Sequence, residues 1–166
     1  MRTLILGLLA ALVLGGGAAF AQTGAWGGLS GGYPGAAVHF GVEDVGVENL
    51  DARVNLGYAY AGADGFALGL DGLYGLNLDT GDLAADIYVG AGVGTVLGEA
   101  FAVKALAGGE YRLADLDLSQ VGLFLEVGPS YGFDLNDDDL DDDDNEIYDG
   151  GFGFDARLGV NYHFSF

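Results

Sequence analysis

The sequence has no cysteine and only two prolines among its 166 residues. The absence of cysteine excludes a disulfide framework, and it also excludes the modified cysteine that anchors a bacterial lipoprotein. The 32 glycines follow no G-x-y order, so the chain is not collagen-like. Because 51% of the residues are hydrophobic, a disordered chain is not expected either.

Basic residues are also scarce. Five Lys and Arg stand against 25 Asp and Glu, which gives a net charge of −20. Such a chain is repelled by phosphate backbones, so nucleic acid is a poor partner. After Gln22 no apolar run approaches the roughly 20 residues of a membrane-spanning helix. A membrane role would therefore have to use strands.

The first 21 residues have the pattern of a secretory signal peptide. A positive start at Arg2 precedes the uncharged apolar run Leu4–Leu14, and Ala19–Ala21 forms a small-x-small cleavage site. The alternative, an N-terminal membrane anchor, is disfavoured because the apolar run is short for a span. We therefore predict a signal peptide over 1–21 and one domain over 22–166.

Apolar and aromatic residues alternate with small or polar ones in nearly every segment between turn-forming breaks. The segments are 36–42, 50–60, 66–78, 83–97, 101–113, 121–135 and 152–166. A period of two predicts strands with unlike faces. With the glycine-rich segment 25–33, joined to the next through Pro34 and Gly35, the pattern predicts eight strands.

Charged residues fall on only one of these two faces. The inward candidates for ion pairs are Arg53, Lys104, Arg112, Arg157, Asp71, Asp86, Glu110, Glu126 and Asp155. The apolar face has no charge along the strands, as expected if it meets lipid, where an Arg or Lys costs about 2–4 kcal/mol at the midplane. Aromatic residues also sort towards the two strand ends. In the alternative, a soluble secreted β-sandwich, the apolar face would be buried.

The chain ends in LGVNYHFSF, with one apolar or aromatic residue at every second position. These positions are Leu158, Val160, Tyr162, Phe164 and Phe166. The tail resembles the C-terminal signature of bacterial outer-membrane β-barrel proteins, and the resemblance implies recognition by the barrel-assembly machinery. We therefore expect an all-β, eight-stranded antiparallel up-and-down barrel in the lipid of a bacterial outer membrane. It would be similar to the small barrels of the OmpA-domain and OmpX type.

An eight-stranded barrel has an interior just wide enough for side chains to fill. We therefore predict a salt-bridged plug in the lumen. Inward glycines would make room for the larger groups; they are Gly57, Gly69, Gly90, Gly92 and Gly94. Trp26 is predicted to be an interfacial anchor, since Trp favours the membrane–water boundary.

The stretch 136–149, NDDDLDDDDNEIYD, has nine acidic residues among fourteen and is predicted to be an outer loop. Carboxylates suit Ca²⁺ or Mg²⁺, so weak cation binding is one hypothesis. The candidate ligands are Asp137, Asp138, Asp139, Asp141, Asp142, Asp143, Asp144 and Glu146. The loop would otherwise meet a surface polymer or a basic partner, or remain a solvated segment that repels itself.

Three functions are compatible with this pattern. The first is a non-enzymatic structural or surface-interaction protein, with no cofactor except Ca²⁺ at the acidic loop. The second is a narrow cation-preferring pore for ions or small solutes. The third is a lipid-modifying enzyme that uses Ser165, His163 and Glu126. We favour the first, because spacing alone is weak support for catalysis.

Overall fold

The computed structural model describes residues 24–61, 64–78, 80–81, 85–134 and 151–164. They form eight strands: β1 Ala25–Tyr33, β2 Gly35–Val42, β3 Leu50–Ala59, β4 Gly65–Gly75, β5 Ala85–Val96, β6 Ala100–Leu113, β7 Leu118–Asp134 and β8 Phe152–Phe164. A single 3₁₀ turn, Ala114–Leu116, precedes β7. Neighbouring strands pair antiparallel in chain order and close into a barrel, which confirms the predicted fold class.

The first and last strands close the barrel along nine residue pairs. Ala25 lies opposite Phe164 at one end of this ladder, and Tyr33 lies opposite Ala156 at the other. The glycine-rich segment 25–33 is therefore a full barrel strand. Closure leaves no unpaired strand edge, which is what distinguishes a barrel from an open sheet.

Two strand boundaries differ by three residues from those predicted, and the other described boundaries that differ do so by one or two. β4 ends at Gly75 rather than at Leu78, and Asn77 takes a left-handed conformation with φ of 46° in the turn that follows. β7 begins at Leu118, three residues early, because the pairing of β6 with β7 shifts between Arg112 and Leu113. Such a bulge changes the local register, which alternation alone does not reveal.

The barrel is apolar outside and charged inside. The largest fully buried side chains are Arg53, Glu126 and Asp71, whereas Phe66 and Leu158 are each 67% exposed. Among the described strand residues, the outward positions carry no charged side chain. This distribution is the inverse of that in a soluble domain, where large exposed apolar surfaces are rare. No helix among the described residues is long and apolar enough to cross a bilayer.

Aromatic residues gather at both ends of the barrel. We call the end where Ala25 and Phe164 lie the terminal end, and the opposite end the distal end. At the distal end the Tyr131 ring centroid lies 4.9 Å from that of Phe133 and 5.2 Å from that of Phe152. At the terminal end Tyr162 lies 5.3 Å from Phe164. The arrangement agrees with the two aromatic rims expected from the sequence.

Candidate functional site

The middle of the lumen holds a central network of five charged residues. Arg53 places Nη2 2.7 Å from Asp71 Oδ2 and Nη1 2.6 Å from Glu126 Oε1. Arg157 Nε lies 2.5 Å from Glu126 Oε2, and Lys104 Nζ lies 2.9 Å from Asp71 Oδ1. Three cations therefore share two carboxylates across the barrel.

Strand register explains why these groups meet. Arg53 and Asp71 are cross-strand partners on β3 and β4, and Glu126 and Arg157 are partners on β7 and β8. The two pairs face each other across the lumen because eight strands leave only a side-chain-wide interior. Tyr88 also donates a hydrogen bond to Glu126, at 2.8 Å. Charges this deeply buried persist only when paired and hydrogen-bonded, and here they are.

A second network occupies the terminal half of the lumen. Glu110 accepts hydrogen bonds from His163 Nε2 at 2.6 Å and from the Asn161 amide, and Arg112 Nε lies 3.0 Å from it. His163 Nδ1 lies 3.1 Å from Glu43 Oε1, in the turn that follows β2. The hydrogen bond with His163 lowers the pKa of Glu43 below its ordinary value. Asp86 completes the network, 3.6 Å from Arg112.

Trp26 lies inside the barrel, so its predicted role as an interfacial anchor is wrong. Its side chain is 4% exposed and packs with Leu73 and Leu106, and the Arg53 guanidinium lies 5.8 Å from its ring centroid. The cause is the pairing of β1 with β8, which sets Leu29 beside outward Val160. Because Leu29 points outward, the even-numbered positions of β1 point inward, and Trp26 is one of them.

Two cavities remain in the lumen. The distal cavity, about 200 Å³, is lined largely by glycine and alanine, with Lys104, Arg157 and Asp155 among its polar residues. The terminal cavity, about 290 Å³, is lined by more acidic side chains. These acidic residues are Glu43, Asp44, Asp51, Asp86 and Glu110.

The inward glycines divide between these regions. A Cβ built on Gly92 would lie 2.1 Å from Asp71 Oδ1, and one on Gly90 would lie 2.9 Å from the Leu73 side chain. These two glycines therefore make room for large neighbours. The other three named from the sequence, Gly57, Gly69 and Gly94, border the distal cavity instead.

The structure brings the inward charged residues into two groups. Arg53, Asp71, Lys104, Glu126 and Arg157 form the central network, and Asp86, Glu110 and Arg112 belong to the terminal one. Asp155 borders the distal cavity. Sequence reasoning missed four polar partners, namely His39, Glu43, Asn55 and Asn161. Three of them, His39, Asn55 and Asn161, lie at the alternate strand positions that point inward, as the charged residues do. That alternation would have identified them.

The residues considered for catalysis do not form one group. His163 contacts Glu110 and Glu43, whereas Glu126 is bonded to Arg53, Arg157 and Tyr88. Ser165 lies outside the described residues.

The acidic stretch 136–149, with its candidate cation ligands, also lies outside the described residues, as does Phe166. Within the described ranges, no group of three or more His, Asp or Glu side chains is arranged to hold a metal ion. The acidic loop therefore remains a prediction from the sequence.

Fold and interior together define a closed eight-stranded antiparallel barrel with exposed apolar walls and an ion-paired lumen. Comparison with protein-family models, curated proteins and solved structures found no match for this chain.

Proposed function

We propose that this protein is a bacterial outer-membrane β-barrel of the OmpA-domain or OmpX type, with a non-enzymatic structural or surface-interaction role. The observation that carries the proposal is the inverted distribution of polarity. All eight strands present uncharged outward faces, and aliphatic residues such as Leu68, Val93 and Leu123 lie between the aromatic rims. Lipid suits such a surface, because closure of β1 on β8 pairs the strand edges that would otherwise expose unsatisfied backbone groups.

The ion-paired lumen supports an anchoring role over a transport role. Arg53, Asp71 and Glu126 are at most 2% exposed and join β3, β4 and β7 across the interior. A barrel braced in this way is a rigid support for its loops. In this proposal the acidic loop 136–149 is the part offered to the surroundings, where it meets a surface polymer, a basic partner or a divalent cation. The alternating tail ending at Phe166 directs assembly.

Quenching of tryptophan fluorescence by brominated lipid tests whether the barrel crosses a membrane. The chain has a single tryptophan, Trp26, whose side chain is inside the lumen. The chain from residue 22 is refolded into vesicles whose acyl chains carry bromine. Val93→Trp in a Trp26→Phe background places the indole on the outward face of β5. We expect strong quenching of the outward indole and weak quenching of Trp26.

The two reporters control for each other, because they share one fold and one vesicle preparation. If the Val93→Trp indole is not quenched although circular dichroism shows a folded barrel, the exterior does not meet acyl chains and the proposal fails. Equal quenching of both indoles would show that Trp26 is not inside the lumen.

A narrow cation-preferring pore is the second candidate. The observation that favours it is the pair of cavities, which enter the lumen on either side of the central network, one of them lined by acidic side chains. Single-channel recording in planar bilayers, with and without Ca²⁺, separates the two functions. Steady cation-selective openings support the pore, whereas a silent, heat-modifiable barrel supports the anchor. A Ca²⁺ response that Asp-to-Asn changes at 141–144 abolish would place cation binding in the acidic loop.

A further inference from the structure

The distal cavity has features that the anchoring role does not require. Its volume is about 200 Å³. An apolar cavity of about 150 Å³ in another protein holds a benzene ring, so this space is large enough for one substituted ring or a short chain. Its walls come from several strands and include Ala67, Gly69, Gly94, Phe101 and Ala102. Walls of this kind offer apolar contact without filling the space.

A buried amide lies beside this cavity but does not offer it an acceptor. Asn55 is 6% exposed and donates from Nδ2 to Asp71 Oδ2 at 2.9 Å. Its Oδ1 has less than 1 Å² of accessible surface, so it does not face the open space of the cavity.

One polar group at the cavity is a hydrogen-bond donor. Lys104 borders the cavity, and its Nζ contacts Asp71 Oδ1 at 2.9 Å. The ammonium has further N–H groups to donate. A hydroxyl oxygen in the cavity can therefore accept a hydrogen bond from Lys104.

The charges around the cavity favour an uncharged occupant. Three cations, Arg53, Lys104 and Arg157, are offset by three carboxylates, Asp71, Glu126 and Asp155. An anion would meet Asp155 in this cavity, and a cation would meet Lys104 and Arg157. We infer that the distal cavity is a binding site for a small neutral molecule that has an apolar body and a hydroxyl group. The hydroxyl oxygen accepts a hydrogen bond from Lys104. This inference concerns the interior alone and does not depend on membrane crossing.

The test is a titration of 4-fluorophenol, followed by ¹⁹F NMR, against the chain from residue 22 folded in detergent micelles. A Cβ on Gly94 would contact only Leu68 O, at 3.4 Å, so Gly94→Leu can fold and fill the cavity. Ala102→Leu fills it from the neighbouring strand. Gly72→Leu is the matched control, since Gly72 has no atom near its Cβ position and faces outward.

We expect saturable binding by the unmodified chain and by Gly72→Leu, and at least tenfold weaker binding by Gly94→Leu and Ala102→Leu. Fluorobenzene, which lacks the hydroxyl group, should bind about tenfold more weakly than 4-fluorophenol. The inference is overturned if the shifts are unsaturable, as expected from micelle partitioning alone, or if the cavity-filling variants bind as the control does. Equal binding of fluorobenzene would refute the role given to Lys104.

Discussion

The two halves of the lumen share one barrel wall but differ in content. The terminal half is lined by large or ionised side chains, among them Trp26, His39 and Glu110, around a cavity of about 290 Å³. The distal half is lined mainly by glycine and alanine and remains partly open. The outward faces show no such difference, because aliphatic and aromatic residues continue along the whole length of the strands.

This difference shows that the exterior and the interior of the barrel follow separate constraints. A lipid-facing surface needs only apolar side chains, so it is uniform. An interior built only for bracing would be packed throughout, since cavities reduce stability. Both halves of the lumen retain space, so what distinguishes the distal cavity is its largely apolar lining, which suits a small apolar occupant, whereas the terminal cavity is lined by acidic side chains.

Removing a carboxylate from the central network should lower the free energy of unfolding more than any other change proposed here. This network lies between the two halves of the lumen. Asp71 contacts Arg53, Lys104 and Arg157 within 3.2 Å and is completely buried. Asp71→Ala removes the ion-pair contact of Lys104 and leaves Arg53 and Arg157 with Glu126 alone, and breaking a buried ion pair costs about 3–5 kcal/mol. We expect a loss of this size in the free energy of unfolding, measured by urea titration with circular dichroism.

Asp155→Ala is the control for this prediction. Asp155 borders the distal cavity but is only partly buried, and the charge interactions of more exposed groups contribute about 1 kcal/mol or less. Equal losses for the two variants would contradict the central position given to Asp71.

Adding one methyl group in each half should measure the difference in packing directly. A Cβ on Gly41 in the terminal half would lie 2.2 Å from the Trp26 ring, whereas one on Gly94 in the distal half meets a single atom at 3.4 Å. We expect Gly41→Ala to cost about 1–3 kcal/mol through overpacking. Gly94→Ala should leave stability unchanged or raise it by up to about 1 kcal/mol.

The same urea titrations test this pair of variants. A cost for Gly94→Ala as large as that for Gly41→Ala would show that Gly94 is packed as tightly as Gly41 and does not border open space. The further inference would then lose its basis.

The barrel could be predicted because its signal is repeated. Seven segments alternate clearly, and each strand needs only to show which of its faces is apolar. Ion pairing between Arg53 and Glu126, 73 positions apart, could not be predicted, because it depends on how far each strand is staggered around the barrel. The sequence therefore identified the inward charges without identifying which of them meet.

Trp26 shows where alternation fails. β1 contains four glycines and one tryptophan among nine residues, so neither face is clearly apolar. Only the pairing with β8, which places Leu29 beside Val160, determines which face of β1 points into the lumen. The two cavities were also unpredictable, since they depend on the sum of many side-chain volumes.

The smallest effect is expected at the rim of the terminal half, where Glu43 contacts His163 and its side chain is 35% exposed. Solvent screens such a pair, so Glu43→Gln should cost less than about 1 kcal/mol at neutral pH.

The pKa of Glu43 is lowered in the folded state, so its contribution to stability is present above its ordinary pKa of 4.5 and is lost as the pH falls below that value. Urea titrations of both chains between pH 3 and pH 7 should therefore give stabilities that converge towards the acid end. Glu48→Gln, at an exposed position in the same turn, serves as the control for replacing an acidic side chain there. A difference that grows as the pH falls would reverse the sign and show that the carboxylate is not stabilised by His163.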